Sequence, residues 1–115
     1  MWRRQFQRVE PTEWGPTFWK TIYYICFTYD IQQEPVKQMV EMFFYSLGGL
    51  LPCPDCQEHY RTYYAKNNIK LVLNDKMKLL QWVYHLENEI ATRNQKTFPD
   101  FHEWMDSREK LLNLE

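Results

Sequence analysis

The chain has 115 residues, 44% of them hydrophobic, a length and composition that predict a single domain over residues 1–115 with one core. Its 14 Lys and Arg residues against 15 Asp and Glu residues give a formal net charge of −1, which excludes the basic footprint of a nucleic-acid-binding protein. The locally basic N-terminal run lacks the apolar stretch of a signal peptide, and no segment approaches the ~20 apolar residues of a membrane span, so we expect a cytoplasmic protein.

The first helical pattern lies in "GPTFWKTIYYICFTYD" (residues 15–30), where Pro16 suits the first turn of a helix. Its apolar residues recur every three or four positions in two neighbouring stripes: Phe18, Ile22, Ile25 and Tyr29, and Trp19, Tyr23 and Cys26. Because apolar residues cover so much of its girth, we expect this helix to be buried or shared with a partner subunit.

Further helices follow, each with start or stop signals at its ends. They run from Pro35 to Gly48 and Gly49, over residues 53–68, from Asn74 or Asp75 to about Arg93, and after Pro99. Glycine is scarce, with 3 residues, and alternating apolar and polar runs are rare, so strand and hairpin signals are missing. The sequence therefore predicts an all-α fold, a compact four-helix bundle with a short fifth helix.

Cys53 and Cys56 are separated by two residues in "LPCPDCQEHY" (residues 51–60). The pattern places Cys53 just before the third helix and Cys56 in its first turn, where unpaired backbone N–H groups and the helix dipole stabilise a thiolate. A two-residue spacer also permits a reversible disulfide. These features favour a redox-active dithiol.

A zinc site is the alternative for this pair. Zinc needs four ligands, so His59, His85, His102 or Cys26 would have to complete the set, and no second close pair of ligands is present in the sequence. Cys26 is otherwise interpreted as a buried thiol that packs as a small hydrophobe.

Three ordered motifs carry a family resemblance. They are "WGPTFWKTIYY" (residues 14–24), "LPCPDCQEHY" (51–60), and "WVYHLENEIATRNQKTF" (82–98) followed by "FHEW" (101–104). Together they resemble the Erv/ALR family of FAD-dependent sulfhydryl oxidases, most closely the minimal versions encoded by large cytoplasmic DNA viruses. The resemblance covers about residues 13–105.

The resemblance implies a helical bundle that holds FAD beside the Cys-x-x-Cys disulfide, usually as a homodimer. Cys56 is then the flavin-proximal cysteine that passes two electrons to FAD, and Cys53 is the outer sulfur that a substrate thiol attacks. Molecular oxygen receives the electrons and becomes hydrogen peroxide. Because the sequence has no second Cys-x-x-Cys, we expect Cys53 to act directly on a thioredoxin-like or other dithiol substrate protein.

The resemblance also implies cofactor-binding positions. Gly15 and Trp19 match the first-helix motif, Asn88 and Lys96 match the fourth-helix motif, and Trp104 matches the tryptophan that lies against the adenine. Three positions differ from the family pattern: Tyr23 and Glu87 stand where the family has histidines, and Ala91 stands for an asparagine. Tyr84 joins this set because Tyr84, Asn88 and Ala91 lie on one face of the fourth helix, where the small Ala91 would let a planar group approach.

Glu87 has a physical consequence for such a site. A carboxylate beside an anionic dinucleotide is repelled unless it is paired, protonated or turned away, or unless His85 serves in its place. A flavin-free helical interaction protein, with the same fold used as a dimer surface, is therefore the alternative to the oxidase.

Overall fold

The computed structural model describes residues 9–30 and 33–114. Its five α-helices are α1 (Pro11–Phe27), α2 (Glu34–Leu50), α3 (Pro54–Lys66), α4 (Lys76–Arg93) and α5 (Phe101–Leu112), and a 3-10 turn, Ile69–Leu71, joins α3 to α4. The described residues contain no strand, and the predicted all-α fold is confirmed. The basic N-terminal run lies largely outside the described residues.

Most helices begin at residues whose side chains favour a helix start. The Asp75 carboxylate caps α4 by accepting from the backbone N–H of Met77 at 2.9 Å. Asp100 and Glu103 form a reciprocal capping box at the start of α5. These caps agree with the predicted starts of the fourth and fifth helices to within two residues.

The predicted start of the first helix is wrong. This helix begins at Pro11, and Pro16 lies inside it. A proline at the first position removes no intrahelical hydrogen bond, so Pro11 is the better start. Two hydrogen bonds hold the extra turn in place: Glu13 N–H to the Glu10 carbonyl at 2.8 Å, and the Trp14 indole N–H to the Val9 carbonyl at 2.8 Å.

The core lies between two packed groups of helices, in which α2 packs against α3, and α1 packs against both α4 and α5. Trp104 and Phe44 are its largest fully buried side chains. Four buried tyrosine hydroxyls donate to backbone carbonyls, among them Tyr60 to Phe44 at 2.5 Å and Tyr63 to Trp82 at 2.8 Å. Most aromatic side chains thus belong to the core.

Among the described helices, none is long and apolar enough to span a membrane.

Candidate functional site: a groove beside Cys56

A groove of about 510 Å³ opens beside Cys56, between the first three turns of α1, the first two turns of α3 and the last half of α4. We call it the dithiol groove. Its apolar walls include Trp14, Phe18, Trp19, Ile22, Leu86 and Ile90. Its polar lining comes from Asp55, His59, Glu89, Arg93, Asn94 and Lys96. Its size and apolar walls are those of a small-molecule or cofactor site.

The two cysteines stand at the N-terminus of α3, as the sequence predicts. Cys53 is the N-cap residue, and its Sγ accepts from the backbone N–H of Cys56 at 3.4 Å. Pro54 occupies the first helical position and so loses no helical hydrogen bond. The positive end of the α3 dipole therefore lies at the sulfur pair, an arrangement that favours a thiolate.

The two sulfurs differ in their exposure. Cys53 is fully buried, whereas Cys56 is partly exposed and lines the dithiol groove. The chain before Cys53 is braced by Gln57, whose side-chain amide donates to the Leu51 carbonyl at 2.7 Å. Val9 N–H donates to the Pro52 carbonyl at 3.3 Å, so the segment before α1 also contacts this loop.

Gly15 lines the groove and leaves space in it. The residue is buried, yet a Cβ built at Gly15 meets no atom within 4 Å apart from its chain neighbours and the nearby backbone of its own helix. A buried position with empty space at its Cβ lets another molecule approach the helix backbone closely. Trp14 and Phe18 pack edge to face beside it, with ring centres 5.1 Å apart.

The C-terminal end of α4 supplies positive charge to the groove. Gln95 adopts a left-handed conformation with φ of 60°, and the backbone N–H of Lys96 then donates to the Ala91 carbonyl at 2.9 Å. This Schellman turn ends the helix and brings Lys96 to the groove lining. Arg93 also lines the groove and pairs with Glu89 at 3.3 Å.

Glu87 lies outside the dithiol groove, in a largely buried polar cluster between α1, α4 and α5. One carboxylate oxygen accepts from the Tyr23 hydroxyl at 2.5 Å and from the Trp104 indole N–H at 2.9 Å. The other oxygen forms an ion pair with Arg108, whose Nε also donates to the Tyr23 hydroxyl at 3.1 Å. We call Tyr23, Glu87, Trp104 and Arg108 the Glu87 cluster.

In the Glu87 cluster the charge of the Glu87 carboxylate is balanced, so it does not repel an anionic dinucleotide in the groove. Its carboxylate is paired with a guanidinium and turned away from the groove. Burial, followed by the charge of Glu87, raises the pKa of Tyr23, so the phenol keeps its proton. Among the described residues no buried side-chain nitrogen or oxygen lacks a hydrogen-bond partner.

The nine predicted cofactor positions therefore separate into groups. Gly15, Trp19 and Lys96 line the dithiol groove together with Cys56. Tyr23, Glu87 and Trp104 form the Glu87 cluster. Tyr84, Asn88 and Ala91 are not part of the groove lining.

The helical period explains the position of this last group. At about 100° per residue, Tyr84, Asn88 and Ala91 share a face on roughly the opposite side of α4 from Leu86 and Ile90. Tyr84 is buried and donates to the Pro99 carbonyl at 2.6 Å. Asn88 lines a separate polar depression together with His85, so His85, like Glu87, is not part of the dithiol groove lining.

Metal binding finds no support in the described residues, where no group of three or more His, Cys, Asp or Glu side chains could hold an ion. His59 lines the groove, but His85 and His102 lie elsewhere. Cys26 is fully buried, and burial raises the pKa of its thiol, which suits its interpretation as a small core hydrophobe.

Sequence reasoning missed Arg108 and Gln57. Arg108 follows Trp104 by four positions and so lies on the same face of α5, a spacing that pairs side chains along a helix. This spacing is the sequence pattern that could have identified Arg108 as a neighbour of Trp104. No sequence pattern points to Gln57. Its side-chain amide donates to the carbonyls of Leu51 and Gly49, which come before α3, and tertiary packing decides the path of that segment.

Comparison with known proteins places these features in a family. Residues 16–110 match the model of the Erv1 / Alr family. A putative FAD-linked sulfhydryl oxidase of Invertebrate iridescent virus 3 is 27% identical over 89 residues, which are 76% of this chain and 60% of that protein. The FAD-linked sulfhydryl oxidase of African swine fever virus (isolate Tick/Malawi/Lil 20-1/1983) is 28% identical over 100 residues, 86% of this chain and 82% of that protein.

A putative FAD-linked sulfhydryl oxidase of Invertebrate iridescent virus 6 is 30% identical over 56 residues, 48% of this chain and 50% of that protein. No solved structure gives a significant match to the chain. The family match covers most of the chain and includes the dithiol, the groove-lining part of α1 from Pro16 onward and the Glu87 cluster. The chain belongs to the Erv1/Alr family.

Proposed function

We propose that this single-domain protein is an FAD-linked thiol oxidase that forms disulfides in protein dithiols and reduces O2 to hydrogen peroxide. The observation that carries the proposal is the position of Cys56, which stands at a helix N-terminus and lines an apolar groove. The relative in Invertebrate iridescent virus 3, named a putative FAD-linked sulfhydryl oxidase, and the FAD-linked sulfhydryl oxidase of African swine fever virus support the same activity.

The residues of the dithiol groove fit a flavin dinucleotide. Trp19, Ile22 and Ile90 offer apolar surface for a planar ring system, and the empty space at Gly15 lets that ring approach α1. Lys96 lines the groove and makes no ion pair with another described residue, so its ammonium is available to bind a phosphate. Pairing with Arg108 keeps the Glu87 carboxylate from opposing these charges.

The sulfur chemistry proceeds by thiol–disulfide exchange. A substrate thiolate attacks Sγ of Cys53 in the Cys53–Cys56 disulfide, a new S–S bond forms, and Cys56 leaves as a thiolate stabilised at the α3 N-terminus. The second substrate thiol loses its proton and attacks the substrate sulfur of this mixed disulfide. The substrate leaves oxidised, and both cysteines are reduced.

Trp19, Ile22, Ile90 and Lys96 would hold FAD in this groove, where it would supply a two-electron acceptor for the reduced pair, with O2 as the final acceptor. The net reaction converts two thiols and O2 into one disulfide and H2O2. Because Cys53 is fully buried, a substrate thiolate reaches its Sγ only after part of the surrounding structure moves.

The partner is a separate dithiol protein, such as a thioredoxin-like carrier, and the cytoplasm is the proposed location.

A homodimer is also proposed, because α2 exposes a row of apolar side chains. They are Met39, Met42, Tyr45 and Leu50, each more than half exposed. A sedimentation measurement tests this, and Met42→Glu should shift the protein toward monomer.

The oxidase proposal is tested on the purified protein by its absorbance spectrum and its oxygen uptake with dithiothreitol. We expect bound flavin and steady oxygen uptake, with uptake abolished in Cys56→Ser and unchanged in Cys26→Ser. A colourless protein that releases no flavin on boiling would overturn the proposal. That result would favour the flavin-free interaction protein, which is supported by the absence of unpaired buried side-chain nitrogen or oxygen atoms among the described residues.

A further inference from the structure

Arg108 contacts neither the dithiol nor the lining of the groove, yet three of its contacts lead toward the groove wall. Its guanidinium forms the ion pair with Glu87, donates to the Tyr23 hydroxyl at 3.1 Å, and lies 5.3 Å from the centre of the Tyr23 ring. The Tyr23 side chain is therefore held at its hydroxyl and on one ring face by groups from α4 and α5.

Tyr23 passes this constraint to Trp19. The two rings stack with their centres 6.0 Å apart and their planes 20° apart. Trp19 is partly exposed and forms part of the groove wall, whereas Tyr23 is buried behind it. The orientation of the Trp19 indole thus depends on a side chain that Glu87 and Arg108 hold in place.

From these contacts we propose that Arg108 is a positioning residue for the flavin ring. It pairs with the Glu87 carboxylate and anchors Tyr23, and through Tyr23 it holds the Trp19 indole in the orientation that binds the ring. The inference rests on the proposed function, because it concerns the ligand of the dithiol groove. It predicts that loss of Arg108 weakens binding of the ring portion itself and not of the phosphates alone.

Two flavins serve as probes, FAD and riboflavin, since riboflavin carries the ring without the phosphates and adenosine. Each is titrated into flavin-free protein, and the dissociation constant is read from the change in flavin fluorescence. Arg108→Gln removes the ion pair and leaves a largely buried carboxylate without its cation, so we expect both flavins to bind roughly tenfold or more weakly. If Arg108 instead contacted a phosphate of FAD directly, Arg108→Gln would bind FAD more weakly and riboflavin with unchanged affinity.

Two further variants separate positioning from a loss of folding. Arg108→Lys keeps the charge but lacks the planar fork that contacts Glu87 and Tyr23 together, so we expect a smaller loss for both flavins. In Glu87→Gln/Arg108→Gln no unpaired charge remains, and the amide oxygen introduced on α4 still accepts from Tyr23, so we expect most of the affinity to return. Arg61→Gln is the control, because Arg61 instead donates to the Gly48 carbonyl on α2.

Equal affinities of wild-type protein and Arg108→Gln for riboflavin would overturn the inference while leaving the oxidase intact. The same holds if the double variant binds no better than Arg108→Gln, or if Arg61→Gln weakens binding as much. A wild-type protein that binds neither flavin would instead overturn the proposed function. Thermal unfolding of each flavin-free variant shows which changes arise from stability.

Discussion

Replacing Gly15 with alanine separates the stability of the fold from binding in the dithiol groove. Gly15 lies within α1, where alanine stabilises a helix by about 0.5–1 kcal/mol relative to glycine. Apart from its chain neighbours and the nearby backbone of its own helix, the new Cβ meets no atom within 4 Å, so no tertiary clash offsets this gain. The flavin-free Gly15→Ala protein should therefore unfold at higher denaturant concentration than wild type.

The same methyl group takes space that the ligand needs. If the flavin ring packs against α1 at Gly15, the added methyl overfills a close contact, a change that costs about 1–3 kcal/mol. Such a loss corresponds to a dissociation constant about 5-fold to 150-fold higher. Gly15→Ala should thus be more stable without flavin and bind flavin more weakly, two effects of opposite sign from one substitution.

Gly49→Ala is the matched control. Gly49 also lies in a helix, its Cβ position is also free of atoms within 4 Å, and it is outside the dithiol groove. We expect a similar gain in unfolding free energy with no change in flavin affinity. Gly48→Ala should lack that gain, because its Cβ comes within 2.8 Å of Arg61 Cγ.

Chemical denaturation of the flavin-free proteins and fluorescence titration with FAD give both quantities. Flavin binding to Gly15→Ala with wild-type affinity would refute the assignment of this wall to the ring. A loss of stability in Gly15→Ala would show that the space at Gly15 is filled within the fold itself.

Exposure, backbone geometry and burial give three further predictions. In the reduced protein, iodoacetamide should label Cys56 much faster than the fully buried Cys53, and equal rates by mass spectrometry would contradict the described exposure. Gln95→Gly should raise the unfolding free energy by about 1 kcal/mol, because Gln95 has a φ of 60°; an unchanged denaturation midpoint would argue against this conformation. Burial raises the pKa of Tyr23 and Tyr60 above their ordinary value of 10.0, so stability should fall above about pH 10, where the unfolded chain loses protons that the fold retains. Each such tyrosine contributes a slope of about 1.4 kcal/mol per pH unit, and Tyr60→Phe should remove one contribution from unfolding curves measured between about pH 9 and 11.

Local signals in the sequence were enough for the helices and for the dithiol. Asp75 and Pro54 mark helix starts because capping and proline geometry depend on a few adjacent residues. The same local logic puts Cys53 and Cys56 at the N-terminus of α3. It failed at Pro16, because Pro11 is the actual start and the extra turn depends on a hydrogen bond between Val9 and Trp14.

Tertiary structure alone decided which side chains meet. Helical periodicity gives the angle between two residues on one helix but not the neighbour that each face contacts, so Tyr84, Asn88 and Ala91 share a face that is not part of the groove lining. The sequence also placed a carboxylate at Glu87 without showing which cation balances it. Arg108 pairs with Glu87 from α5, 21 residues further along the chain, and only the packing of α5 against α1 and α4 brings the two charges together.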